Sequence, residues 1–158
     1  MRARKVSFVP KGYHTVTPYL ACAGAAAAID FYKKAFGLTE ATRLPGPDGK
    51  VMHAALGFPD GEAGIYLADE FPMSGDCKSP RSLGGTSTTL HFVVPDVDGS
   101  FRRAVDAGAK SLMPPTDMFW GDRYCKLADP FGHHWSIATH QREVSLEEAK
   151  KAMQAMKA

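Results

Sequence analysis

The sequence is poor in cysteine and in long apolar runs. Cys22, Cys77 and Cys125 are an odd and scattered set that forms neither a disulfide framework nor a Cys-x-x-Cys metal pair. This pattern favours a reducing compartment, and with no charged-then-apolar leader it predicts a cytoplasmic protein. No apolar run approaches the roughly 18 residues of a membrane helix, so we expect no membrane partner.

Charge of one sign is also scarce. The 158 residues include 19 basic and 17 acidic ones, a formal net charge of +2 with neutral His. General nucleic-acid binders usually carry a strongly basic face, so no nucleic-acid partner is expected. The basic cluster lies in residues 1–12, which we interpret as an N-terminal tail. No Ser-His-Asp order, Gly-rich phosphate loop or dinucleotide fingerprint is present.

What the chain does contain is an internal repeat. Three landmarks recur with separations of 19 and then 5 residues: Gly37, Leu56 and Gly61, then Gly108, Leu127 and Gly132. The offset between the copies is 71 throughout. The repeat predicts two modules, about 15–70 and 86–140, within a single domain over 13–140.

Each copy shows the same order of elements. In the first, residue types and spacing predict a strand over Thr15–Cys22, a helix over Ala25–Phe36 and strands over Lys50–Phe58 and Gly64–Ala68. The second repeats this order and adds a short strand, Ala109–Met113, before its long loop; an equivalent strand is expected before the long loop of the first copy. The other predicted elements of the second copy are Thr88–Val94, Asp98–Ala107 with Phe101, Ala104 and Val105 inward, Arg123–Ala128 and His134–Thr139. The sequence thus predicts an α+β fold of two tandem βαβββ modules that form an open, partly closed β-barrel-like cleft.

The segment 144–158 predicts a C-terminal helix. Ser145 and Glu148 form a capping-box pattern. An apolar stripe follows at helical spacing: Leu146, Ala149, Met153 and Met156. This stripe either covers the chain's own domain or meets a partner subunit.

Several polar residues have a structural interpretation. Asp129 is typical of an Asx turn before Gly132. Asp122 and Arg123 are interpreted as stabilising a loop. His133 and His134 follow Gly132 at a turn and are expected at the surface. Together with His140 they are interpreted as solvated or hydrogen-bonded histidines. Cys22 and Cys125 are interpreted as buried, inert thiols.

Short motifs along residues 17–139 carry a family resemblance. They are Pro18-Tyr19-Leu20, Ala28-Ile29-Asp30-Phe31-Tyr32, Ala35-Phe36-Gly37, Val94-Pro95-Asp96-Val97-Asp98, Phe119-Trp120-Gly121-Asp122-Arg123-Tyr124 and Asp129-Pro130-Phe131-Gly132-His133-His134-Trp135. Because these motifs occur together and in this order, the chain resembles the vicinal oxygen chelate (glyoxalase/bleomycin-resistance/dioxygenase) superfamily, and within it the PhnB-like branch. The resemblance implies paired modules around a cleft that closes within one chain or across a homodimer. It also implies a metal ligand (His, Glu or Gln) on the first and last strand of each module.

The positions implied for metal ligands hold hydroxyl side chains here. They fall on Thr17, Tyr66, Thr89 and Ser136. Divalent transition metals are held by imidazole, carboxylate or thiolate, so we predict that the usual metal site is missing and expect no cofactor. A divalent metal stays an alternative if a slipped register draws ligands from His14, His53 and His91.

A cleft without a metal is predicted to bind a small organic molecule. Trp120 and Tyr124 could stack on a planar or cationic ligand. The full set of predicted ligand-binding residues is Thr17, Tyr19, His53, Tyr66, Thr89, His91, Trp120, Tyr124 and Ser136. Two alternatives stay open: a metal-dependent lyase, isomerase or dioxygenase using histidine ligands, and a ligand-free scaffold that acts through dimerisation. Whether the chain is an enzyme is left open, and no catalytic residue is assigned.

Overall fold

The computed structural model describes residues 7–10, 12–71 and 77–156. Most of the basic tail predicted over 1–12 therefore lies outside the described residues. The chain divides into two compact units, Met1–Leu83 (unit 1) and Gly84–Ala158 (unit 2).

Unit 1 holds a mixed four-stranded sheet. Its elements are β1 (Tyr19–Cys22), α1 (Ala25–Phe36), β2 (Thr39–Pro45), β3 (Val51–Gly57), β4 (Ala63–Asp69) and the single-turn helix α2 (Pro80–Leu83). The strand order is β1-β4-β3-β2, with β1 parallel to β4 and the other pairs antiparallel.

Unit 2 repeats this arrangement. Its elements are β5 (Thr89–Val93), α3 (Val97–Asp106), β6 (Lys110–Asp117), β7 (Asp122–Ala128), β8 (His134–His140) and α4 (Leu146–Ala155). The strand order is β5-β8-β7-β6, with the same parallel and antiparallel pairs. The predicted α+β class with two tandem βαβββ modules is confirmed.

In each module, strand alternation separates a helix-facing side from an opposite side. The buried residues of the helix-facing side include Leu56 and Leu67 in unit 1, and Leu127 and Ile137 in unit 2. Cys22 and Cys125 belong to the same layers and are fully buried, as predicted, and burial raises the pKa of the Cys125 thiol to about 11.

The matched spacing of the repeat reflects a turn that both modules share. The Phe58 N–H donates to the Glu62 carbonyl at 2.8 Å, and the Asp129 N–H donates to the His133 carbonyl at 2.9 Å. Gly61 and Gly132 take φ values of 89° and 93° there, a left-handed conformation that favours glycine.

Asp129 makes this turn a buried polar centre in unit 2. One carboxylate oxygen accepts the N–H groups of Phe131 and His133, each at 2.9 Å, and the other accepts the Trp135 indole N–H at 2.8 Å. The predicted Asx turn is present. The prediction that His133 lies at the surface is wrong, because its backbone closes this turn and its side chain is buried.

Two predicted strand boundaries are wrong, and both lie next to proline residues. β1 starts at Tyr19 and not at Thr15, since Pro18 has no N–H for the ladder and only its carbonyl pairs, accepting the Tyr66 N–H. β6 was predicted to end at Met113 but continues through Pro114-Pro115 to Asp117. It is an edge strand, where missing donors are tolerated.

The two helices of unit 2, α3 and α4, differ in how they pack. In α3, Val97, Ser100 and Ala104 are buried, whereas Val105, predicted to point inward, is 38% exposed. In α4 the capping box of Ser145 and Glu148 is present, yet no residue of the helix is buried. The described part of the chain therefore leaves the apolar stripe uncovered. None of the described helices is long and apolar enough to cross a membrane.

Candidate functional site

Four ring side chains of unit 1 lie together on the side of the sheet opposite the helix; we call Tyr13, Tyr19, His53 and Tyr66 the unit 1 cluster. Tyr19 on β1 pairs directly with Tyr66 on β4, and β4 pairs Tyr66 with Ala55 on β3. His53 is two residues from Ala55 and so projects to the same side. The ladder thus explains why residues far apart in sequence meet.

The unit 1 cluster is held by hydrogen bonds and ring contacts, including a hydrogen bond between Tyr13 and Tyr66. Tyr19 Oη and His53 Nδ1 are 2.8 Å apart. The His53 ring lies 5.0 Å from the Tyr66 ring and the Tyr19 ring 5.7 Å from it, both edge to face, with Tyr13 6.1 Å beyond. Desolvation raises the pKa of Tyr19 and of Tyr66 above the usual range for a phenol.

Unit 2 carries a second group, which we call the unit 2 cluster: His91, Trp120, Tyr124 and Ser136. His91 on β5 pairs with Ser136 on β8, and His91 Nδ1 is 2.8 Å from Ser136 Oγ. The His91 and Tyr124 rings stack with centroids 6.1 Å apart, and Trp120 meets Tyr124 edge to face at 5.7 Å. A continuous row of rings thus leads from β5 to the β6–β7 loop.

Trp120 is fixed by a polar chain at the base of its loop. Its indole N–H donates to Asp122 Oδ2 at 3.0 Å, and Asp122 Oδ1 is 2.8 Å from His140 Nδ1. The hydrogen bond to Asp122 raises the pKa of His140. Arg123 forms a two-pronged pair with Asp98 at 2.7 and 2.9 Å. These contacts agree with the loop-stabilising interpretation of Asp122 and Arg123.

The two clusters use equivalent positions with exchanged side chains. Tyr19 and His91 both lie on the first strand of a module, opposite Tyr66 and Ser136 on the last strand. His53 and Tyr124 both lie on the third strand of their modules. Each lies two residues before the residue that pairs with the last strand, which is Ala55 opposite Tyr66 in unit 1 and Lys126 opposite Ser136 in unit 2. Module 1 therefore has tyrosine then histidine, and module 2 has histidine then tyrosine.

Two predicted ligand-binding residues lie apart from these contacts. Thr17 precedes the start of β1, and Thr89 is the exposed first residue of β5, where it pairs with His134. Tyr19 and His91, two residues further along, occupy the places opposite Tyr66 and Ser136. Tyr13 was not predicted to take part, and nothing in its spacing signals it. Its ring contact depends on how the segment before β1 folds back.

The two tandem βαβββ modules, each with a ring-lined side opposite its helix, are the structural basis for comparing this chain with known protein families. The Glyoxalase/Bleomycin resistance protein/Dioxygenase superfamily matches residues 13–137, and the chain belongs to this superfamily.

Particular relatives are similar along most of their length. The uncharacterized protein Rv0887c of Mycobacterium tuberculosis is 48% identical over 143 residues, which cover 87% of this chain and 81% of that protein. TioX from Micromonospora sp. ML1 superposes with a TM-score of 0.63 at 27% identity over 80% of this chain and 98% of TioX. TnmS3, an antibiotic binding protein from Streptomyces sp. CB03234, has the same fold, with a TM-score of 0.60 at 20% identity over 88% of this chain and 100% of TnmS3.

The residues at the implied ligand positions fit a transition metal poorly. The predicted positions Thr17, Tyr66, Thr89 and Ser136 carry four hydroxyls. If Tyr19 and His91, the ladder partners of Tyr66 and Ser136, replace Thr17 and Thr89, the set is one imidazole and three hydroxyls. Neutral hydroxyls do not replace the usual imidazole and carboxylate donors.

The alternative histidine set has other partners. His14 Nε2 is 3.2 Å from a Glu62 carboxylate oxygen, His53 contacts Tyr19, and His91 contacts Ser136. Over residues 7–10, 12–71 and 77–156, no three His, Cys, Asp or Glu side chains are grouped so that they could hold a metal ion.

Proposed function

We propose that this chain is a PhnB-like member of its superfamily whose ring clusters, each within its own module, bind a small organic molecule without the superfamily's usual metal. The observation that carries the proposal is that each module has one tyrosine and one histidine in contact, Tyr19 with His53 and Tyr124 with His91. Each module therefore offers a ligand aromatic ring faces and a few hydrogen-bonding groups next to them. Small-molecule sites combine these features, with ring surfaces for affinity and sparse polar groups for orientation.

The clusters favour a planar aromatic ligand. The Trp120 indole N–H is already bonded to Asp122, so what this ring offers a ligand is its face. Trp120 is half-buried, and Tyr19 is 51% exposed. Stacking on such rings contributes about 0.5–1.5 kcal/mol per pair beyond the buried area.

The polar atoms of the clusters would orient that ligand. If the Tyr19 phenol donates to His53 Nδ1, the imidazole carries its proton on Nε2 and can donate to a ligand carbonyl. His91 has the same freedom at Nε2 while Nδ1 engages Ser136. TnmS3 shares only the fold at this level of identity, and the proposal therefore depends on these contacts.

Tryptophan fluorescence provides the first test, because the chain has two tryptophans in different places. Trp135 is buried with its N–H on Asp129, whereas Trp120 belongs to the unit 2 cluster. Planar aromatic compounds, with metal-free bleomycin among the first, would be titrated into wild-type protein, Trp120→Phe and Trp135→Phe. We expect saturable quenching in wild type and Trp135→Phe and its loss in Trp120→Phe. Quenching that persists in Trp120→Phe and disappears in Trp135→Phe would contradict the proposal.

Calorimetric affinities of matched variants then separate the cluster from its neighbours. Tyr124→Leu and Tyr19→Phe should weaken binding by about 3- to 10-fold, the loss of one stacking or hydrogen-bonding contact. Thr89→Val serves as the control on β5, since Thr89 is exposed and has no contact with the cluster rings, and its affinity should equal wild type. Equal effects at Tyr124 and Thr89 would count against the clusters.

Metal content decides between binding and the metal-dependent enzyme. We expect no stoichiometric nickel, zinc, manganese or iron by elemental mass spectrometry of untagged protein, with or without added metal. About one ion per chain, lost in His53→Ala and His91→Ala together with any turnover, would replace the proposal by the lyase, isomerase or dioxygenase alternative.

The proposal includes a homodimer in the cytoplasm. The uncovered stripe of α4 supports association, because Leu146 and Met156 are each more than two-thirds exposed. Light scattering of the full chain and of a chain ending at Ser145 would test it. A dimer that becomes a monomer on truncation is expected. A full chain that is already monomeric would remove both the dimer and the scaffold alternative.

A further inference from the structure

A cavity of about 600 Å³ lies within unit 2, apart from the rings of the unit 2 cluster. It forms where β6, the β6–β7 loop, the segment after β8 and the end of α4 meet. Its lining residues are Met113, Thr116, Asp117, Met118, Phe119, Gly121, Gln141, Arg142 and Met156. The volume falls in the range of small-molecule sites, about 300–1,000 Å³.

The frame of this cavity is tied together by backbone hydrogen bonds. The Gln141 and Arg142 N–H groups both donate to the Gly121 carbonyl, at 3.0 and 3.1 Å. Gly121 has a φ of 102°, and a Cβ there would meet the Arg142 carbonyl oxygen, so the two segments are as close as glycine allows. Two segments of the wall, the β6–β7 loop and the residues after β8, are thus held against each other, and the cavity is open to solvent on its other side.

The wall is dominated by thioether and ring surface. Met113, Met118 and Met156 line the cavity with Phe119. Methionine is unbranched and polarisable, and it adapts to apolar ligands of different shapes. Such a wall would accept an alkyl or aryl body.

Charge selects the sign of the ligand. Asp117 is only partly neutralised: its carboxylate accepts from Arg123 at 2.9 Å, but Arg123 also pairs with Asp98. Arg142 is the cationic lining residue. Within the part of the chain that the structure describes, its ion-pair partner is Glu148, at a long distance of 3.4 Å, and both side chains are more than half exposed. Its guanidinium can exchange this contact for a bound carboxylate at little cost.

We propose that this cavity is a second ligand site, which takes an amphipathic organic carboxylate with its apolar body against the methionines and its carboxylate on Arg142. The site does not depend on ligand binding at the two clusters, because it shares no side chain with either of them; it does share Met156 with the α4 stripe.

The methionine methyls give a direct readout in the intact protein. With 13C-methyl-labelled methionine, octanoate should shift the signals of Met113, Met118 and Met156 in a saturable way. Met52 in unit 1 and Met153 on α4, which do not line the cavity, are internal controls. Octylamine, of matched length and opposite charge, should bind at least about tenfold more weakly.

A variant pair tests the role of Arg142. Arg142→Gln should weaken octanoate binding by about tenfold or more, Arg142→Lys should restore part of it, and Arg102→Gln on the exposed side of α3 should leave it unchanged. Unaltered methyl spectra of the ligand-free variants establish that the fold is kept. The proposal is overturned if octanoate and octylamine shift the same methyls equally, if Arg142→Gln binds like wild type, or if Met52 shifts with the lining methionines.

Discussion

Removing the Asp129 carboxylate should destabilise the protein strongly. This side chain is 6% exposed and accepts three hydrogen bonds, two from backbone N–H groups of its own turn and one from the Trp135 indole. In Asp129→Ala, all three donors lose their partner inside a buried turn. The exposed Asp60, which accepts one backbone N–H in the equivalent turn of unit 1, is the matched control.

The magnitude follows from the number of donors. A hydrogen bond to a charged acceptor contributes about 1.5–3 kcal/mol, and a buried donor left unpaired costs about 1–3 kcal/mol. Since water can reach part of the turn once the side chain is gone, we expect Asp129→Ala to lower the free energy of unfolding by about 3–6 kcal/mol. The total free energy of unfolding of a native domain is about 5–15 kcal/mol. Asp129→Asn keeps one acceptor oxygen for the two backbone donors and should cost about 1–3 kcal/mol.

Urea unfolding followed by far-UV circular dichroism measures these values without relying on Trp135 as the probe. Asp60→Ala should cost no more than about 1 kcal/mol. An Asp129→Ala variant that loses less than Asp60→Ala would refute the interpretation of Asp129 as the centre of the turn. So would an Asp129→Asn variant that is less stable than Asp129→Ala.

Three further outcomes are expected. A thiol reagent should label Cys77 quickly in the folded protein and the buried Cys22 and Cys125 only in urea, which counting modified thiols over time would show. Gly121→Ala should lower the free energy of unfolding by about 1–3 kcal/mol, because its φ is positive and a Cβ there meets backbone; urea denaturation measures this. The raised pKa of His140 makes its ion pair with Asp122 stabilising at pH below about 6.5, and this contribution is lost as the pH rises through that raised pKa. The melting temperature of His140→Gln should therefore fall below wild type at pH 5.5 and approach it at pH 8.5.

The repeated frame could be predicted from the sequence because glycine marks it. Gly37 ends α1 with a φ of 69°, and Gly61 and Gly132 take left-handed conformations in the shared turn. Other residues adopt such angles only at an energetic cost, so glycine occurs at these positions in both copies and can be recognised by its fixed spacing in the sequence. The element order follows from the periodicity of apolar residues between them, and it predicted α1 to the residue.

The candidate site was harder to predict because strand boundaries and registers leave weaker traces. Counting from motifs placed the first-strand positions at Thr17 and Thr89, whereas the residues that pair with Tyr66 and Ser136 in the ladders are Tyr19 and His91. A shift of two residues keeps a side chain on the same side of a strand, so the alternation of polar and apolar residues is equally satisfied by both registers. Only the pairing partner decides between them.

The exchange of tyrosine and histidine between the modules shows how a constant offset can mislead. At 71 residues, His53 corresponds to Tyr124, but Tyr66 would correspond to Ile137, which is fully buried on the helix side. The ladders require an offset of 70 for β4 and β8, because the register of β3 with β4 shifts by one residue near Gly57, and an offset of 72 for β1 and β5. A one-residue slip turns a side chain to the other face, so the equivalence of Tyr66 with Ser136 and of Tyr19 with His91 follows from hydrogen-bond pairing and not from spacing. What the modules share is therefore one phenol and one imidazole on the side opposite the helix, and not the strand that supplies each.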